Sequence, residues 1–222
     1  MKLNFKKMAV MVTAVVLTAN VMAQMSFNVG YLNDTRMQTT KLNNNTSIGT
    51  TNYNGFTLGI SYSHEFSDML GINAGLNYQF LFKHDEINLP VSKTDITTTF
   101  HALDIPIRLE LGINLTNDFR LFGYVGPNFI FDVAGKTKNK VIAIVNGEEQ
   151  GDPVKTETDL FKDTDYSRFN LAVGPGLGIK YNNTMFRVGY DWGLLNRNTN
   201  SNTNNNFILK NNQLYVTLGF AF

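Results

Sequence analysis

From Leu70 to Phe82 every even position is apolar (Leu70, Ile72, Ala74, Leu76, Tyr78, Phe80, Phe82), and every odd position except Leu81 is Gly, Asn or Gln. A period of two over that length excludes a helix, which would repeat its apolar residues three and four apart. It requires a strand whose two faces meet different surroundings. The pattern recurs. Phe56, Leu58, Ile60, Tyr62, His64 and Phe66 alternate with Thr, Gly, Ser and Glu65, and Leu103, Ile105, Ile107, Leu109 and Leu111 alternate with Asp104, Pro106, Arg108 and Glu110. Similar runs begin at Phe119, Phe169, Phe186 and Leu214, and Phe27, Val29 and Tyr31 start another. These make eight strands, an even number, as antiparallel closure favours.

The connections alternate as well. Ser67-Asp68-Met69, Asn114 to Asn117 and Asn182-Asn183 are short, whereas Leu32 to Asn54, Lys83 to Thr99, Ala134 to Asp165 and Asn196 to Phe207 are long. A two-residue turn at Asn182-Asn183 pairs Gly178 with Arg187 and keeps the polar faces together, and Asn-Asn tolerates the positive φ of a type I′ turn. Asn196 to Asn206 is low-complexity and polar, and reads as a loop tip. The expectation is an all-β fold: an eight-stranded antiparallel up-and-down transmembrane β-barrel with short periplasmic turns and long extracellular loops.

Lysines 2, 6 and 7, the apolar run Met8 to Thr18 and Val21-Met22-Ala23 form a secretory signal pattern with cleavage before Gln24. The apolar run is too short for a spanning helix. Residues 1–23 are therefore expected to be a signal peptide, and 24–222 the barrel. With Lys+Arg 19 against Asp+Glu 18 there is no basic excess to bind nucleic acid, and with no cysteine there is no disulfide scaffold or thiolate metal site.

Alternation alone does not say which face is outside. An eight-stranded barrel has an interior barely wide enough for its own side chains, and the Phe, Tyr, Leu and Ile of the apolar face would overfill it. Aromatics also collect at both strand ends: Tyr62, Phe66, Phe119, Tyr181, Phe186, Phe220 and Phe222 near the short turns, and Phe56, Phe80, Phe82, Phe129, Phe131, Tyr190 and Trp192 near the long loops. Those are two interfacial girdles, and the run Leu218, Phe220, Phe222 resembles the C-terminal strand signal of outer-membrane proteins. The apolar face points to lipid and the localisation is the outer membrane of a Gram-negative cell.

Ten charges then fall on the lumen face: Glu65, Asp104, Arg108, Glu110, Arg120, Asp132, Arg168, Lys180, Arg187 and Asp191. Five of each sign in a narrow lumen imply mutual pairing, hence a plug rather than a pore, with Glu110 and Arg120 the expected cross-strand pair. Catalytic chemistry is not expected. His64 and His101 share lipid-facing parity, His84 begins a loop, and no Ser has a His at a suggestive offset. His84-Asp85-Glu86 reads as a solvated loop, because adjacent residues point different ways. Gly174-Pro175-Gly176-Leu177-Gly178 lies within a strand and reads as relief of lumen crowding, not as a phosphate loop. No cofactor is expected.

Leu103-Asp104-Ile105-Pro106-Ile107-Arg108-Leu109-Glu110-Leu111, Gly123 to Asn128, Val173 to Ile179 and Arg187 to Leu194 resemble strands of the PorT-like outer-membrane β-barrel domain family. Arg108 stands where that family has an apolar residue. The resemblance implies a barrel without agreed catalytic residues, with one branch serving protein secretion. The function expected is a non-enzymatic anchor or loop-mediated binder, with a secretion accessory as the alternative and a small-solute porin or lipid-modifying enzyme behind it. Expected partners are outer-membrane lipid and other envelope or secretion proteins.

Overall fold

A computed structural model describes residues 23–42, 45–145, 148–200 and 206–222. The signal-peptide reading falls outside the described residues except for Ala23, as does part of the Asn-rich segment after Asn200.

Nine strands account for nearly all of the described chain: β1 (Ala23–Leu42), β2 (Asn45–Glu65), β3 (Leu70–Leu89), β4 (Ser92–Asn114), β5 (Phe119–Val145), β6 (Glu148–Asp159), β7 (Phe169–Tyr181), β8 (Thr184–Gly193) and β9 (Phe207–Ala221). All pairings are antiparallel. The order β4-β3-β2-β1-β9-β8-β7-β5 closes through β4–β5 into a ring of eight strands, and β6 hangs on β5 outside it. The expected ring is present, and the extra strand lies inside the expected loop Ala134 to Asp165.

The other long loops are also mostly strand. β1 and β2 pair out to Leu42 and Asn45, and β3 and β4 out to Leu89 and Ser92. The polar residues of these stretches hid the ladder, since period two is visible only where one face is apolar. The short turns are as expected, with one difference. Tyr181 pairs Thr184 and Gly178 pairs Arg187, but only Asn182 has a positive φ (50°), so the turn is not the full type I′.

On the ring, the alternating apolar residues are exposed: Phe27, Val29 and Tyr31 on β1, Leu103 to Leu111 on β4, Phe186 and Trp192 on β8. Toward the long-hairpin end, Phe56 meets Phe80 at 5.4 Å, Phe80 meets Phe82 at 6.2 Å, and Tyr190 meets Trp192 at 5.4 Å. Beyond Phe82 the polarity of the sheet reverses. The outward face now carries His84, Glu86, Lys93, Asp95, Lys136, Lys138, Lys140 and Glu157. The inward face carries first the Lys83–Asp85 ion pair and then the cross-strand row Ile87, Thr94, Val141 and Val154, with Leu89 and Val145 nearby, mostly exposed. The outward charges pair among themselves, Lys136 with Glu157 at 2.5 Å and Lys138 with the same carboxylate at 3.7 Å.

Candidate functional site

The lumen is the site. Arg108 of β4 reaches across to Asp191 of β8, its Nη2 donating to Oδ2 at 2.6 Å, with side chains 4% and 0% exposed. Asn128 donates to the same carboxylate oxygen at 3.3 Å. Arg187 Nη2 donates to Glu110 Oε1 at 2.8 Å and its Nη1 to Asn73 Oδ1 at 2.9 Å. Arg120 and Glu65 form an ion pair at 3.0 Å. The expected Glu110–Arg120 pair does not form. Register sets Glu110 opposite Tyr124 and Arg120 opposite Asn114, so the two lie four residues apart along β5, about 13 Å. In so narrow a ring, a residue across the lumen is nearer than one farther along the same strand.

The remaining four expected residues part company. Asp104 is buried and accepts from Asn77 Nδ2 at 3.0 Å, with no cation in ion-pair range among the described residues. Lys180 donates to Gln24 Oε1 at 2.7 Å beside the short turns. Asp132 pairs with Arg197, which was not expected. Arg168 is not buried in the lumen network. It is exposed, donates to the carbonyls of Asp132 and Val133, and lies 4.4 Å over the Phe161 ring. It precedes the first residue of β7, so strand parity does not govern it.

Above these pairs sits a cluster of apolar and charged groups. Leu32, Leu81 and Phe100 are buried together with Tyr53, Leu160, Phe161 and Tyr166 around them. The Arg36 guanidinium lies 3.5 Å over the Phe100 ring and 4.5 Å over Tyr53, and pairs with Asp34 at 3.0 Å. Arg197 lies 4.4 Å over Tyr166 and donates to Asp132 and to the Ser167 carbonyl. The Asn211 amide lies among these groups, and assigned with its oxygen toward the surrounding donors it accepts from Arg36 Nε and Arg197 Nη1 at 3.3 Å each and from the Tyr166 hydroxyl at 3.2 Å. Each cation is thus held by a carboxylate and an aromatic face together.

Sequence reasoning missed Asp34, Arg36 and Arg197. Asp34 and Arg36 continue the lumen parity of Asn28, Gly30 and Leu32, and extending β1 past Tyr31 finds them. Arg197 was marked only by being the lone charge in an Asn-rich run.

Between the cluster and the short-turn end, a cavity of about 70 Å³ is lined by Asn77, Asp104, Asn128, Arg187, Tyr215 and neighbours. That volume suits a few waters, and it is too small for a sugar or nucleotide. At the short-turn mouth an open recess of about 450 Å³ is lined by Gln24, Glu65, Arg120, Lys180 and turn residues.

Glycines set the width. Tyr124 sits opposite Gly176 and Phe122 opposite Gly178, and a Cβ at either glycine would run into the facing ring. The reading of the Gly-Pro-Gly-Leu-Gly stretch as relief of crowding therefore holds. Gly176→Val is expected to lower stability by about 1–3 kcal/mol through overpacking, read as a shift of the denaturant midpoint, and Tyr124→Leu in the same chain is expected to restore part of it.

All three histidines lie outside the lumen. His64 stacks on Phe66 at 4.9 Å, His101 contacts the Tyr78 hydroxyl on the lipid face, and His84 lies on the outward face of the β3–β4 hairpin.

A closed antiparallel ring of eight strands, apolar outside and cross-paired by charges inside, is an integral membrane barrel. The chain belongs to the outer membrane protein beta-barrel domain family, whose model matches residues 9–222. It is therefore an outer-membrane protein. No curated protein sequence matches it. Among solved structures it is similar to the attachment invasion locus protein Ail of Yersinia pestis in complex with the heparin analogue sucrose octasulfate, at 15% identity over 91% of this chain and 100% of that one (TM-score 0.40). It is also similar to the outer membrane protein OprG of Pseudomonas aeruginosa, at 14% identity over 89% and 95% (TM-score 0.40). A third is the outer membrane protease OmpT of Escherichia coli, at 9% identity over 92% and 100% (TM-score 0.30).

Proposed function

We propose that the protein is a non-enzymatic outer-membrane barrel that anchors an extracellular binding surface, and that its lumen is plugged rather than conducting. The observation that carries this reading is the Arg36–Phe100 and Arg197–Tyr166 stacking across the outer mouth, locked to Asp34 and Asp132. Moving either arginine aside breaks an ion pair, an aromatic contact and a shared bond to Asn211 at once. The four-stranded sheet of β3, β4, β5 and β6 beyond the girdle gives partners a surface with a charged outer face and an inner face that turns aliphatic toward its tip.

The test is electrical. Purified protein in planar bilayers is expected to show no steady open level, and the double variant Arg36→Ala with Arg197→Ala is expected to show openings. Large, steady openings of the unaltered protein would mean a small-solute porin instead.

A further inference from the structure

We propose that His84, Glu86 and Asp95 form a site for a zinc-type divalent cation on the outward face of the extracellular β3–β4 hairpin. Read along the sequence, His84, Asp85 and Glu86 point alternately and form no cluster. The pairing of β3 with β4 changes that, because His84 and Glu86 share one face and Asp95 is the direct register partner of Glu86. One donor atom from each of the three lies within 4.8 Å of the others.

Two carboxylates directly opposite each other on one sheet face repel, so the arrangement calls for positive charge. Part of it is supplied by lysines. Lys93 lies 3.1 Å from Glu86 and Lys140 lies 3.8 Å from Asp95. Exposed ion pairs of this kind are weak, so they do not hold the two carboxylates closed to another cation.

The imidazole is what the lysines leave unexplained. His84 Nδ1 lies 3.1 Å from Thr97 Oγ1, the hydroxyl of its own register partner, which fixes the ring through one nitrogen and leaves Nε2 for a ligand. One imidazole nitrogen with two carboxylate oxygens is a donor set that suits zinc and its neighbours better than calcium or magnesium, which take oxygen alone. Zinc bonds of about 2.0–2.2 Å need donors roughly 3–4 Å apart, so small rotations of exposed side chains close the site. Three protein ligands leave a fourth position for water.

The experiment is calorimetric titration of Zn²⁺ into the full mature barrel in detergent, with Ca²⁺ as the comparison. One saturable site per chain is expected for Zn²⁺, and none for Ca²⁺ at the same concentration. His84→Gln and Asp95→Asn are each expected to weaken Zn²⁺ binding by about tenfold or more. Lys93→Met, which releases Glu86, is expected to tighten it. These residues are on the surface, so the circular-dichroism signal of each variant should match that of the unaltered barrel. The proposal is overturned by an absence of saturable Zn²⁺ binding, by binding that all three variants leave unchanged, or by equal Ca²⁺ binding indifferent to His84→Gln.

Discussion

Arg108→Leu is expected to lower the free energy of unfolding by about 3–5 kcal/mol, the usual cost of leaving one member of a buried ion pair without the other. The cost is large because Asp191 is fully enclosed and keeps only the weaker bond from Asn128 once the guanidinium is gone. Arg108 also donates to the carbonyls of Gly126 and Gly174, so it ties β4 to β5, β7 and β8. Urea titration of the refolded barrel measures the effect. Adding Asp191→Leu is expected to recover part of the loss, since two apolar groups no longer include a stranded charge. A loss below about 1 kcal/mol for Arg108→Leu alone would mean that the pair behaves as a solvated one.

The second large effect is expected at Phe100. Its ring is 2% exposed, meets Tyr53 at 5.3 Å, Tyr166 at 6.2 Å and Phe161 at 6.3 Å, and carries the Arg36 guanidinium on its face. Phe100→Ala removes the centre of the only sizeable apolar cluster inside the described lumen. A loss of about 3–5 kcal/mol is expected, as for other buried aromatics cut back to alanine. The same variant is expected to admit brief openings in planar bilayers, because Arg36 loses one of its supports. Phe100→Leu keeps the volume but not the aromatic face, and is expected to fall between. If stability drops as described while the bilayer stays silent, the plug does not depend on the ring.

The barrel itself was legible because lipid demands an unbroken apolar face, and Leu70 to Phe82 or Leu103 to Leu111 show that demand directly. The extension beyond the girdle was not. His84 to Leu89 and Lys136 to Val145 are strand held by backbone ladder bonds, with no apolar periodicity strict enough to announce it. The lumen charges were found where parity ran within a strand, as at Arg108, Glu110, Arg187 and Asp191. Their pairing was not found, because partners lie across the ring on strands far apart in sequence. Arg168 and Arg197 mark the boundary of the method. Both stand outside a strand, and there only the folded loop decides which one turns inward to Asp132.

The reversal of polarity above Phe82 has a mechanical consequence. Below that level the outside of the wall seeks oil, and above it the outside seeks water. The wall therefore carries its own waterline. Sinking the barrel by two residues would drag Glu86, Asp95 and the lysine row of β5 toward the acyl chains, and each charge costs more the deeper it goes, up to about 2–4 kcal/mol for a lysine at the midplane. Raising it would strand the outer girdle, Phe80, Phe82, Leu103 and Phe131, in water and lift the polar residues of the short turns into oil. In a bilayer of different thickness it is the lipid that must stretch or thin, while the barrel rides at one fixed depth.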